Sequence, residues 1–182
     1  MSCSRLETER LLLRPPERRD IPAFVPLIGD LEVSRNLGNV PHPYAENDAH
    51  AWLSKLDERR AKGEVFPYAI TRKADGAYLG GCGLHLENGA LELGYWLGRP
   101  HWKLGYATEA ARRVLDFAFD ELQIGEVWAG WFHDNPKSGH VLAKLGFAAT
   151  RFEKRACMAR GIDVGCNIVT LSRETFARRM AS

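Results

Sequence analysis

Residues 92–109 read ELGYWLGRPHWKLGYATE. Leu91–Leu97 has the makeup of a strand, GRPHWKLG (98–105) that of a loop, and an apolar stripe begins just beyond it. Ala107, Ala110, Ala111, Val114, Leu115, Ala118 and Leu122 recur at three and four, which predicts an amphipathic helix over Tyr106–Leu122. Glu109 and Arg113 sit off that stripe as an expected i,i+4 ion pair. A strand that runs straight into a long helix sets the free first-turn amides, and the positive end of the helix dipole, at the end of the loop. Gly105 and Ala107 are small at that place, so the oxygens of a phosphate could reach the backbone. The same residues also suit a tight turn with no ligand, and the stretch by itself leaves both readings open. A P-loop is excluded because Leu104 follows Lys103, and a dinucleotide fingerprint fails because Leu86 stands where Gly81 and Gly83 require a third glycine.

Upstream, strand-like runs at Val65–Thr71 and Tyr78–Glu87 join Leu91–Leu97 through Ala74-Asp75-Gly76 and Asn88-Gly89, which predicts an antiparallel meander. Before it, Ala49, Trp52, Leu53 and Leu56 mark a helix over Asn47–Lys62, ended by Gly63. Residues 34–45 are turn-rich, residues 18–29 suit a short helix, and Arg10–Arg14 reads as a strand closed by Pro15-Pro16. Downstream come a strand (Glu126–Trp131), a helix (Pro136–Lys144, ended by Gly146) and strands at Phe147–Lys154 and Ile162–Leu171. The order predicts an α/β fold with one mixed, largely antiparallel central sheet flanked by helices.

The chain has 182 residues, enough for one domain and too few for two full ones. Apolar residues make up 45% and charged residues 26%, values of a globular protein that exclude a disordered tail or a coiled coil. A net charge of +2 gives no general case for nucleic-acid or membrane binding. Cys3, Cys82, Cys157 and Cys166 form no CxxC pair or zinc spacing, so reduced thiols and no metal are expected, and His133 and His140 lack a third ligand. Glu7 and Glu9 interrupt any signal-peptide core, and Ser2 excludes myristoylation. Apolar runs such as PAFVPLI are too short to span a bilayer. A cytoplasmic location is expected.

A second informative segment is NPKSGHVLAKLGF (135–147). Asn135 reads as an ordinary helix cap with Pro136 at the first helical position and Ser138 in the first turn. Taken with 92–109, with LETERLLLRPP near the start and LSRETF near the end, the chain resembles the GNAT superfamily of acetyl-CoA-dependent N-acetyltransferases, in particular its RimJ/RimL-like branch. The likeness covers nearly the whole chain and implies the acyl-CoA N-acyltransferase fold in one domain over 8–177.

The resemblance implies that the family's Q/R-x-x-G-x-G/A loop holds the CoA pyrophosphate on backbone amides. Gly105 and Ala107 match its last two fixed positions, Trp102 stands at the Q/R position, and Lys103 stands where this branch often has glycine, with an ammonium able to replace the lost contact. It implies further that Tyr95–Leu97 splays from its neighbour and pairs with pantetheine, with Trp96 and Leu97 lining the channel. The implied cofactor-binding set is Tyr95, Trp96, Leu97, Lys103, Leu104, Gly105, Tyr106, Ala107, Thr108, Asn135 and Ser138. The tyrosine that family members place on the helix after the fifth strand is Leu142 here, and Ser138 is the implied donor to the departing thiolate.

Direct attack on a thioester needs a neutral amine, which a lysine side chain (about 10.4) supplies less readily than an α-amino group near about 8. Glu92 is the first candidate base, since alternation puts it on one face with Gly94 and Trp96; a solvated carboxylate on an exposed strand is the competing reading. His85, on the neighbouring strand, is the reserve. Trp52 is read as packing or as the wall of an acceptor pocket. The expected activity is acetyl transfer from acetyl-CoA to a protein N-terminus or a small-molecule amine, with a non-catalytic acyl-CoA-binding domain as the alternative. Acceptor contacts are expected from roughly residues 28–50, which carry no pronounced acidic cluster for a polycation.

Overall fold

The computed structural model describes residues 5–87 and 89–180. Ser2, Cys3 and Asn88 of the expected turn lie outside the described residues. Among the described residues, eight strands form one sheet in the order β1-β2-β3-β4-β5-β6-β8-β7. They are β1 (Leu6–Glu7), β2 (Leu11–Arg14), β3 (Val65–Arg72), β4 (Tyr78–Glu87), β5 (Ala90–Leu97), β6 (Glu126–Phe132), β7 (Ala148–Cys157) and β8 (Ile162–Ser172). The helices are α1 (Ile21–Ile28), α2 (Leu31–Ser34), α3 (Glu46–Ala61), α4 (Tyr106–Asp116), α5 (Pro136–Leu145) and α6 (Arg173–Met180). Every neighbouring pair of strands is antiparallel except β5 and β6, which are parallel because α4 carries the chain back across the sheet between them.

The apolar stripe of α4 does what its spacing dictates. Ala110, Ala111, Val114 and Leu115 are wholly buried against Leu84 and Leu93 of the sheet, and Leu142 and Leu145 of α5 join the same core. The other face carries α1 and α3, whose Phe24, Ile28, Ala49, Leu53 and Leu56 bury one another, with Trp96 packed alongside. A third apolar group, Phe132, Cys157, Val164, Cys166 and Ile168, lies at the β6–β8 end.

Several expectations need correction. The helix after the loop keeps α geometry only to Asp116; Phe117–Glu121 is wound as a π-helix, with the Leu122 N–H donating to the Phe117 carbonyl. Glu109 is not paired with Arg113. Two Arg10 nitrogens reach it at 2.7 and 2.6 Å, the Thr8 hydroxyl donates to it as well, and Arg113 turns to Glu121 instead. Three short elements were not anticipated: β1, α2 and α6. Each is too short for a periodic signal and is held by distant contacts, such as Phe176 of α6 against Phe119 at 5.1 Å.

Candidate acetyl-CoA site and acceptor face

Among the described residues the only parallel pair in the sheet is also its shortest interior contact. β5 and β6 are in register at Glu92↔Trp128 and Leu93↔Ala129 and nowhere else among the described residues. Beyond that point β5 stays on β4 as far as Gly80↔Leu97, and β6 stays on β8 as far as Phe132↔Cys166. The two arms diverge, and the inner edges of Gly94–Leu97 and Gly130–Phe132 have no strand between them. Such edges offer main-chain donors and acceptors to an extended ligand arm. Gly139 keeps α5 close to one arm: a Cβ there would stand 2.8 Å from the Trp131 ring.

The arm from β5 leads directly into the cradle. Gly105 caps α4 with φ +82°, a conformation that favours glycine. The Glu109 N–H bonds to the Gly105 carbonyl, so the first-turn amides of Tyr106, Ala107 and Thr108 have no helical acceptor. The loop is pinned from both sides. Trp102 Nε1 donates to the Leu97 carbonyl at 2.8 Å under the Lys137 ammonium, and Arg10 donates to the Leu104 carbonyl at 3.0 Å while lying over the Tyr106 ring. Lys103, Leu104 and Gly105 are exposed, so the cradle is open.

Lys103 adopts φ +64°, which explains why glycine suits this position and why a lysine is strained there. Lys103→Gly relieves about 1 kcal/mol of backbone strain while loosening the unfolded chain by a similar amount. The expected melting temperature is therefore unchanged within about 2 °C. Loss of the ammonium is expected to weaken acetyl-CoA binding about threefold at low salt, measured by calorimetry. Unchanged affinity would assign the position to backbone geometry alone.

At the fork, Tyr95 of β5 reaches across to the first turn of α5. Its hydroxyl lies 2.8 Å from Ser138 Oγ and donates to the Ser138 carbonyl at 3.0 Å. Burial pushes the Tyr95 phenol well above its ordinary range, so it stays protonated. Asn135 holds the cap position of α5, but its side chain makes no capping bond, which departs from its reading as an ordinary cap. Leu142 is 1% exposed in the core and offers the fork nothing polar.

The opposite face of β5 shows Glu92, Gly94 and Trp96 together, as alternation requires. Glu92 is buried, and Arg155 Nη1 lies 2.6 Å from its Oε1 while Arg155 Nε pairs with Glu153 at 2.8 Å. His85 stands directly across from Glu92 in the β4–β5 register. Its pKa is lowered, chiefly by burial, so the imidazole is neutral at neutral pH. Gly94 is exposed and leaves the floor open beside the His85 ring. Trp96 packs on Phe24 at 5.5 Å, and Trp52, 38% exposed, stacks on the same ring. The rim is tied by Arg160, which pairs with Asp134 at 2.6 Å and donates to the Arg35 carbonyl of the α2 end.

The profile of the Acetyltransferase (GNAT) domain family matches residues 10–148. The chain belongs to this acetyltransferase family. An uncharacterized N-acetyltransferase p20 of Bacillus licheniformis is 30% identical over 175 residues, covering 94% of this chain and 98% of the relative. Among solved structures, RimJ of Mycobacterium smegmatis in complex with CoA-disulfide superimposes with a TM-score of 0.81 at 21% identity, over 98% of this chain and 92% of the other. The ribosomal-protein-S5-alanine acetyltransferase of Vibrio fischeri does so with a TM-score of 0.80 at 17% identity, over 95% and 98%. This chain is therefore an N-acetyltransferase with the fold of those enzymes.

Within this GNAT enzyme the residues singled out in the sequence fall into two groups. Tyr95, Ser138 and Asn135 gather at the fork and Lys103–Thr108 at the cradle, whereas Glu92 and the Trp96 side chain lie on the other face. The Leu97 side chain is buried in the core beneath α4, so both Trp96 and Leu97 offer the fork their backbone. Arg155 escaped sequence reading because it sits 63 positions from Glu92 on an edge strand with no apolar alternation. A cavity of about 480 Å³ beside the cradle is lined by Glu9, Arg10, Arg72, Lys73, Ala74 and Tyr106. Its cations are already paired, Arg10 with Glu109, Arg72 with Asp75 and Lys73 with Glu7, which leaves the helix amides as the open anion donors. Among the described residues no cluster of His, Cys, Asp and Glu is arranged to hold a metal, and no helix is long and apolar enough to cross a membrane.

Proposed function

We propose that this enzyme, as one domain over 8–177, moves the acetyl group of acetyl-CoA to a primary amine by direct attack on the thioester. The observation that carries the reading is the fork: an interior parallel pair that ends after Leu93↔Ala129 and opens toward a glycine-capped helix start. Bound acetyl-CoA supplies an activated acyl carbon and a thiolate leaving group. The amides of Tyr106, Ala107 and Thr108 hold the pyrophosphate, with Lys103 and Leu104 as its rim, and the inner edge of Tyr95–Leu97 holds the pantetheine arm. A main-chain N–H of that edge faces the thioester oxygen, where negative charge develops. Asn135, free of capping duty, is available to the same arm.

Ser138 hydrogen-bonds the departing sulfur from the first turn of α5. Glu92, with one oxygen on Arg155, draws the proton from the amine on the opposite face, and His85 is the neutral alternative. The acceptor is an α-amino group of a protein N-terminus: the Vibrio neighbour is named for an alanine of ribosomal protein S5, and alanine has no side-chain amine. A small-molecule amine is the other outcome of the test. CoA release from acetyl-CoA in the presence of peptides with free N-termini and of simple amines measures this directly, and no amine-dependent release would overturn the reading.

Ser138→Ala is expected to lower kcat about tenfold with acetyl-CoA affinity within about twofold, because the hydroxyl matters most when charge reaches the sulfur. An unchanged kcat, measured where chemistry limits turnover, would leave Ser138 as a helix-start residue only.

A further inference from the structure

The proposed reaction uses only the backbone of Tyr95, and its hydroxyl is left without a role. Its position is unusual. It leaves β5 two residues beyond the last β5–β6 pair, crosses the opening of the fork, and ends 2.8 Å from the Ser138 hydroxyl on the helix that follows β6. No tyrosine is available from α5 itself, where Leu142 is buried in the core. We propose that Tyr95 is the positioning residue for Ser138: its phenol donates to Ser138 Oγ and so turns the serine proton toward the sulfur that leaves.

The geometry allows two arrangements of the same protons. In one, the phenol donates to the Ser138 carbonyl at 3.0 Å, and the serine hydroxyl is free to donate back to the phenol oxygen. In the other, the phenol donates to Ser138 Oγ at 2.8 Å, which leaves the serine proton for a third group. A sulfur at the fork that gathers negative charge favours the second. A hydroxyl that accepts one hydrogen bond is also a stronger donor of the next. Burial of the phenol keeps it protonated across the working range, so it remains a donor throughout.

No proton passes along the Tyr95–Ser138 pair. The amine nitrogen forms the bond to the acyl carbon, and the carbon–sulfur bond breaks with its electron pair going to sulfur. The thiolate is held by the Ser138 hydrogen bond, and the amine proton leaves by the base or by water on the opposite face. Tyr95 and Ser138 lower the charge cost at sulfur and end the cycle unchanged. The inference rests on the transferase reading above, because it concerns what Ser138 does when the thiolate forms.

The test is a double-mutant cycle on the full chain with Tyr95→Phe, Ser138→Ala and the pair, reading kcat, KM for acetyl-CoA and calorimetric affinity. Tyr95→Phe is expected to lower kcat about fivefold, the size of one neutral hydrogen bond, with acetyl-CoA affinity within about twofold. Added to Ser138→Ala it should lower kcat no further, because it acts only through that hydroxyl. Fluorotyrosine placed at 95, a stronger donor of the same shape, is expected to keep kcat at or above the parent value. It is also the readout if Tyr95→Phe does not fold. An unchanged kcat in Tyr95→Phe, losses that multiply in the pair, or a kcat lowered by fluorotyrosine would each overturn the inference. A parent chain that binds acetyl-CoA but releases no CoA with any amine would overturn the transferase reading, and this inference with it.

Discussion

Ala107→Glu is expected to weaken acetyl-CoA binding by at least about 100-fold, roughly 2.7 kcal/mol, and to leave the protein folded. Ala107 is the second residue of α4, between the glycine cap and the first satisfied helical amide. A carboxylate there fills the space the pyrophosphate needs and sets like charge against it. Folding is spared for the same reason that binding is lost: a glutamate in the first turn interacts well with the helix dipole. Ala107 packs only partly against the core, so its side chain has an exit to solvent. Calorimetric titration with acetyl-CoA, beside a thermal melt, reads both expectations. A folded variant that binds as tightly as the parent would move the phosphate site away from α4.

Glu92→Gln is expected to lower activity about 100-fold near neutral pH, the low end for a positioned general base. The amide keeps an oxygen for Arg155, so the ion pair becomes a hydrogen bond instead of an empty site. Activity should recover as pH rises and the free amine forms unaided. Recovery begins near about 8 for an α-amino acceptor and nearer about 10.4 for a lysine, so the profile also reports the acceptor. His85 gives a different signature. Its neutral form is the base, and burial lowers its pKa from 6.5, so activity that depends on it is kept at neutral pH and lost only below 6.5. Parallel profiles of parent and Glu92→Gln at nearly equal rates would remove Glu92 and leave His85 or solvent as the proton acceptor.

What the sequence made legible and what it hid follow from contact range. The α4 stripe, the Asn135-Pro136 start of α5 and the strands on either side of Gly89 are local patterns, and the structure places all of them within a few residues. The π-wound end of α4 was hidden because Ala118 and Leu122 continue the apolar stripe without a break. β7 runs three residues beyond its expected end at Lys154, because an exposed edge strand needs no alternation. The fork itself has no local signature: it exists because β5 and β6 part after Leu93↔Ala129, which only the packing of α4 and α5 decides. The pairs Tyr95–Ser138 and Glu92–Arg155, 43 and 63 positions apart, were likewise out of reach of any spacing rule. The strain at Lys103 was half legible, as a lysine at a position where glycine was expected, and the positive φ supplies the reason.

In the proposed complex acetyl-CoA lies in the fork with its phosphates on the start of α4. Titrating nitrogen-labelled protein with acetyl-CoA and following the backbone amides tests that placement most directly. The largest shifts are expected at Gly105–Thr108 and Tyr95–Leu97, with smaller ones at Asn135 and Ser138 and little change in α3. Shifts centred on Arg72 and Lys73 at the neighbouring cavity, with the amides of Gly105–Thr108 unmoved, would contradict it.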